Sequence, residues 1–145
     1  LNQYHDSDFI NRYVKAGHHR DNLRLWTYFD PLPMPAGVDR VRQIFQQYWQ
    51  HVTVAVNLFM PAQYMPTHSD LYGRYREVTP VGDKTIHRAV VMLESGLPGQ
   101  ILEIGDQCYC GWGAGAVYSW CDQDPHAFYN MSLHERYALQ ITGVR

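Results

Sequence analysis

Between residues 51 and 142 the hydrophobic pattern repeats every two residues rather than every 3.6, and this constrains the fold more than any other feature of the chain. Residues 51–60 read HVTVAVNLFM, β-branched and apolar, and Pro61 closes the run. Residues 86–94 (IHRAVVMLE) form a second strong run. Gln100–Ile104 (QILEI) follows a turn at 96–99 that contains Pro98. Residues 116–121 (AVYSWC) come after the glycine-punctuated loop 111–115, a short strand is expected at 128–130, and 136–142 (RYALQIT) is the last run. Many short strands set apart by Gly, Pro and Asp turns predict a sandwich or barrel rather than alternating βαβ units. The expected fold is mainly β within the α+β class: an antiparallel jelly roll, or double-stranded β-helix, with an N-terminal helix or helices.

The N-terminal part reads differently. Residues 1–37 look irregular or mixed and end in Pro31, Pro33, Pro35 and Gly37, a spacing that opposes both helix and central strand and predicts a surface loop. Residues 38–50 predict one amphipathic helix. Val38, Val41, Ile44, Phe45, Tyr48 and Trp49 take one face, and Arg40, Arg42, Gln43, Gln46 and Gln47 the other. A chain of 145 residues has the size of one domain, so 1–145 is read as a single unit, with a helical or irregular part at 1–51 and a jelly-roll core at 52–143.

Composition excludes several classes. With 46% hydrophobic and 18% charged residues the chain can bury a core, which excludes disorder. A net charge of -2 without a block of like charge argues against a nucleic-acid partner. Residues 1–8 show no basic-then-apolar leader, and the apolar runs are too short to span a bilayer, so no membrane partner is expected. The chain opens on Leu rather than Met, as a processed product or a fragment would. Cys108, Cys110 and Cys121 are odd in number and do not form a disulfide framework, so a reducing, cytoplasmic location is the simpler reading. Their spacing matches no common zinc module, and they read as buried or incidental thiols.

Eight histidines remain as the excess to explain, since histidine is the commonest metal ligand and the usual acid or base near neutral pH. The most informative motif is Thr67-His68-Ser69-Asp70. In extended chain the side chains of His68 and Asp70 project to one face, where an imidazole and a carboxylate can share a metal ion. Two histidines and one carboxylate bind non-haem Fe(II) and leave positions open for co-substrate and O₂. The second histidine has to come from another strand, and His126, just after the run 116–121, is placed to supply it. Ten residues later Arg136 opens the last run, and a guanidinium is a natural bidentate partner for a carboxylate.

With Asn57, Leu58 and Phe59 on a strand, His68-x-Asp70, and His126 followed by Arg136, the sequence resembles the Fe(II)/2-oxoglutarate-dependent dioxygenases. Within that superfamily the stretch from Gly115 to Arg136 is most similar to the aspartyl/asparaginyl β-hydroxylase type, through His126, Asn130, Ser132 and Arg136. The resemblance covers roughly residues 52–143. It implies Fe(II) held by His68, Asp70 and His126, and 2-oxoglutarate as co-substrate with its distal carboxylate on Arg136. Arg88 and Asn57 are implied as further co-substrate contacts. The implied activity is hydroxylation of a C–H bond in a peptide side chain or small metabolite, with O₂ consumed and succinate and CO₂ released. Two features depart from the β-hydroxylase type. That type often lacks the acidic ligand that Asp70 supplies, and the Tyr- and Arg-rich insertion 71–84 could form a lid or substrate loop.

Each assignment has a structural rival. Arg136 could pair with Asp122 or Asp124, Arg88 with Glu94 or Glu103, and Asn57 could be a satisfied core amide. His134 lies only two residues from Arg136, too close for the family pattern. His87 would face away from Arg88 on its strand. The remaining histidines, His5, His18, His19 and His51, read as surface or helix-end residues. Trp112, Tyr118, Trp120 and Phe128 read as core, some of them as pocket walls. Two other functions stay open: a cupin-like metal enzyme that does not use 2-oxoglutarate, and a non-catalytic ligand-binding jelly roll.

Overall fold

The computed structural model describes residues 2–3, 7–23, 26–29 and 33–145. The elements are β1 (Asn2–Gln3), α1 (Ser7–Lys15), a 3₁₀ turn (Arg20–Leu23), β2 (Trp26–Phe29), α2 (Ala36–Phe45), β3 (Gln50–Phe59) and β4 (Gln63–His68). They continue as α3 (Gly73–Val78), β5 (Ile86–Met92), β6 (Gln100–Ile104), β7 (Gln107–Tyr109), β8 (Val117–Cys121), β9 (His126–Asn130) and β10 (Arg136–Val144). Two antiparallel sheets face each other. The major sheet runs β1-β2-β3-β10-β5-β8 and the minor one β4-β9-β6-β7. This is the expected mainly β jelly roll with N-terminal helices.

Strand parity divides the side chains of the major sheet. Val52, Val54, Ala89, Val91, Leu139 and Ile141 point outward and are buried under Val38, Val41, Phe45 and Trp49 of the α2 region. Phe59, Val90, Met92, Trp120 and Ala138 point inward and meet Met65, Leu102 and Phe128 of the minor sheet. The inward set is interrupted by polar residues: Asn57, Arg136 and Thr142 are all buried. Alternation on β3, β5 and β10 places Asn57, Arg88, Arg136 and Gln140 on this same inner face.

Several elements differ from expectation, and β7 and α3 are additions to it. The helix ends at Phe45 rather than at 50: residues 46–48 turn, Tyr48 is exposed, and the β-branched run after Gln50 takes the chain into β3. Trp49 leaves the helix to lie on Gly143, where a Cβ would come within 2.9 Å of Trp49 Cβ, so only a glycine fits. β4 carries no period-two signal because Pro66 interrupts it. A register shift between Met65 and His68 absorbs that residue against β9. Residues 126–130 are paired throughout, so the strand expected at 128–130 is longer and begins at His126. Of the loop expected to end the N-terminal part, Pro31 lies outside the described residues, as does His5.

Candidate metal centre

Three side chains converge where the end of β4 meets the start of β9. His68 closes β4, His126 opens β9, and the two are paired across the strands. Asp70 follows two residues after His68. Its Oδ1 lies 3.8 Å from His68 Nε2, and its Oδ2 lies 3.4 Å from His126 Nε2. One ligand atom from each residue falls within 4.8 Å of the other two. Cis ligands bound at 2.0–2.3 Å would stand about 3 Å apart, so a small inward adjustment seats an ion.

Proton placement also suits a metal. His68 Nδ1 is 2.8 Å from the carbonyl of Pro66, and His126 Nδ1 is 3.1 Å from that of Asp124. A carbonyl can only accept, so each Nδ1 carries the hydrogen and each Nε2 presents a lone pair to the centre. Burial pushes the His126 pKa down to about 4; the Asp70 carboxylate and the Asp124 carbonyl oppose this, and His68 and Arg88 add to it. At neutral pH His126 is therefore the uncharged form that a metal requires. Two imidazoles and one carboxylate, with the other positions open, form a donor set suited to Fe(II).

The Trp120 ring lies 4.6 Å from the His126 ring and 6.3 Å from Phe128, which continues the wall inward. Deeper in the barrel is Arg136, 1% exposed. Its guanidinium carbon stands 4.6 Å from the Phe59 ring centre, 5.0 Å from Phe128 and 5.4 Å from Trp112. Among the described residues, none of its three nitrogens has a hydrogen-bond partner. Burial lowers its pKa to about 10, opposed by Glu94, so it remains a cation at pH 7. Neither carboxylate considered as its rival reaches it: Asp122 Oδ2 takes Arg76 Nη2 at 2.8 Å, and Asp124 Oδ2 accepts the Cys121 amide at 2.8 Å.

The turn before Arg136 is tied down by the motif residues Asn130 and Ser132. Asn130 Nδ2 donates to the carbonyls of Phe59 (3.0 Å) and His134 (2.8 Å), and Ser132 Oγ donates to Asn130 Oδ1 (2.7 Å). This knot fixes the entry of β10 beside the end of β3, where Arg136 pairs with Phe59.

Arg88 places Nη1 2.9 Å from Asp70 Oδ2, so it meets neither Glu94 nor Glu103 there. Asn57 Nδ2 donates to Gln140 Oε1 at 2.9 Å, making an interior amide pair on the face that carries Arg136. Gln140 escaped the sequence reading. Its parity with Arg136 on the last strand was the available signal. His87 faces outward, stacked on Trp49 at 5.7 Å with Nδ1 3.7 Å from Cys121 Sγ, and His134 serves the β9–β10 knot through its backbone. The insertion 71–84 forms α3 and inserts Tyr72 into a cluster with Val81, Ile86 and Val144.

Fold and site together define a double-stranded β-helix with a His-Asp-His set of potential metal ligands at one end of the barrel. No protein-family model and no curated protein sequence matches the chain. Among solved structures, a Pseudomonas putida prolyl-4-hydroxylase is similar with a TM-score of 0.65 and 14% identity, over 99% of this chain and 91% of that one. A cupin domain of Schizosaccharomyces pombe Cnp3 is similar at 0.49 and 6% identity, over 84% of this chain and 64% of that one. An RmlC-like cupin protein from Desulfovibrio desulfuricans is similar at 0.42 and 17%, over 63% and 71%. At 14% identity the likeness to the prolyl-4-hydroxylase is one of fold. No described helix is long and apolar enough to cross a membrane.

Proposed function

We propose that the chain is an Fe(II)- and 2-oxoglutarate-dependent dioxygenase that hydroxylates a C–H bond of a peptide side chain or small metabolite. Arg136 carries this reading. A buried cation with three unpartnered nitrogens, walled by aromatic rings and set inside a barrel with metal ligands at its end, calls for an anionic ligand. A cupin-like enzyme without 2-oxoglutarate has no need of such a carboxylate clamp.

In this reading His68, Asp70 and His126 hold iron, and Arg136 takes the distal carboxylate of 2-oxoglutarate. Asn57 and Gln140 offer amide contacts along the co-substrate. Bound iron and 2-oxo acid supply oxidative decarboxylation coupled to hydroxylation, with O₂ as the second co-substrate. The protein itself supplies orientation and a dry interior: Trp120, Phe128, Phe59 and Trp112 wall the space and exclude water around the charge on Arg136. The likeness to the aspartyl/asparaginyl β-hydroxylase type rests on Asn130 and Ser132, whose hydrogen bonds position Arg136. No nucleic-acid or membrane partner is proposed. Three free cysteines, two of them exposed, accord with a reducing, cytoplasmic setting.

The test is succinate release from 2-oxoglutarate by Fe(II)-loaded protein in air, with a panel of amino acids and peptides as substrates. Substrate-stimulated succinate, lost in Arg136→Met and His126→Ala, is the expected result. Metal binding with no succinate from any panel member, and no 2-oxoglutarate binding, would favour the cupin alternative.

A further inference from the structure

We propose that Arg88 and Tyr72 are positioning residues for the third metal ligand, holding the Asp70 carboxylate from its Oδ2 side so that its rotation towards the two histidines is fixed. The inference rests on the metal-binding part of the function proposed above and is independent of its co-substrate.

His68 and His126 are each steered by a backbone carbonyl two residues earlier. Asp70 lies beyond the end of β4, and its orientation is set by side chains. Among the described residues, the buried side-chain polar atoms without a hydrogen-bond partner include Asp70 Oδ2, Tyr72 Oη and Arg88 Nε. These three belong to residues in mutual contact. Arg88 Nη1 is 2.9 Å from Oδ2, within ion-pair distance but not aligned as a hydrogen bond, and the Arg88 guanidinium carbon lies 4.6 Å over the Tyr72 ring. One acceptor and two donors thus sit together, and small rotations close the set without any further ligand. Arg88 and Tyr72 then hold the carboxylate at Oδ2, which keeps Oδ1 beside His68 and Oδ2 beside His126.

The insertion 71–84 is built to hold Tyr72 in place. Tyr72 is 6% exposed and adopts φ +52°, a left-handed conformation that is uncommon for a residue with a large side chain. The helix after it is anchored twice to the barrel, by Arg76 Nη2 to Asp122 Oδ2 at 2.8 Å and by the Tyr75 hydroxyl donating to the His51 carbonyl at 2.8 Å. The insertion therefore braces the ligand side of the centre. Parity on β5 supplies the other half, turning Arg88 inward and His87 outward onto Trp49.

The test is titration of the metal-free protein with Co(II), followed by visible absorption, for the wild type, Arg88→Met, Arg88→Lys, Tyr72→Phe and His126→Ala. Arg88→Met is expected to weaken Co(II) binding about tenfold or more, the usual effect of losing a ligand-supporting partner. Arg88→Lys should regain part of it, and Tyr72→Phe, which deletes one hydroxyl, should weaken binding by about threefold. Affinity of the Co(II)-loaded variants for 2-oxoglutarate should stay within about threefold of wild type. Unchanged Co(II) affinity in Tyr72→Phe and in either Arg88 variant that folds would overturn the proposal. A selective loss of 2-oxoglutarate binding in the Arg88 variants would overturn it too, and assign Arg88 to the co-substrate. Wild type that binds no Co(II), or binds it as His126→Ala does, would remove this inference and the proposed metal centre together. The expected order of Co(II) affinities, with no 2-oxoglutarate binding in any variant, would support this inference and count only against the dioxygenase reading.

Discussion

A guanidinium held in an aromatic pocket without an acceptor opposes folding, because its hydration is lost and ring faces replace only part of it. Arg136 is in that position. Arg136→Met should therefore stabilise the ligand-free protein, by about 1–3 kcal/mol judged from replacements of buried charges by apolar side chains, while abolishing 2-oxoglutarate binding. Urea unfolding and calorimetric titration of the same variant check both halves, and a variant that loses stability would point to a structural role for the cation. His126 opposes folding only in acid. Its folded pKa of about 4 lies below the ordinary histidine value of 6.5. Between those pH values the unfolded chain binds more protons than the folded one, so the cost is absent above pH 6.5 and grows as pH falls towards 4. Urea midpoints of the metal-free protein at pH 7, 5.5 and 4.5 should decline in that order, and less steeply in His126→Gln.

At the scale of elements, the turn between β9 and β10 joins the two sheets and delivers Arg136. Asn130 is 0% exposed and donates to two backbone carbonyls, so Asn130→Ala takes its donor from the buried Phe59 carbonyl and leaves the His134 carbonyl with only the Ser132 hydroxyl. A loss of about 2–4 kcal/mol is expected, together with weaker 2-oxoglutarate binding as Arg136 loses its fixed origin. Thermal unfolding and titration of that variant measure the two effects. The strands that could be read from the sequence are those whose two faces meet different surroundings or are β-branched throughout: β3, β5, β6, β8 and β10. β4 was not legible, because Pro66 and the register shift break the alternation on which such a reading depends. The helix 38–50 was drawn too long because Tyr48 and Trp49 keep helical spacing. Trp49 is in fact half-buried against the sheet from a turn, through the gap left by Gly143.

For the whole molecule, the legible part of the site is the part fixed by residue chemistry and strand parity. His68, Asp70 and His126 converge because β4 and β9 are antiparallel neighbours, and Arg136 faces inward because the last strand begins with it. What could not be read depends on packing across the barrel. The pairing of Arg88 with Asp70, Tyr72 closing over both, and Trp112 walling Arg136 join residues from separate loops and strands. Trp112 is placed by Gly96, where a Cβ would stand 2.9 Å from the indole, a contact that no local pattern announces. The central claim is that one barrel holds a metal and a 2-oxo acid side by side. The most direct measurement is anaerobic addition of 2-oxoglutarate to the Fe(II)-loaded protein, followed by visible absorption. The account predicts a weak charge-transfer band in the wild type that is absent in His68→Ala, His126→Ala and Arg136→Met. Fe(II) binding with no band at any 2-oxoglutarate concentration, or a band that persists in His126→Ala, would contradict it.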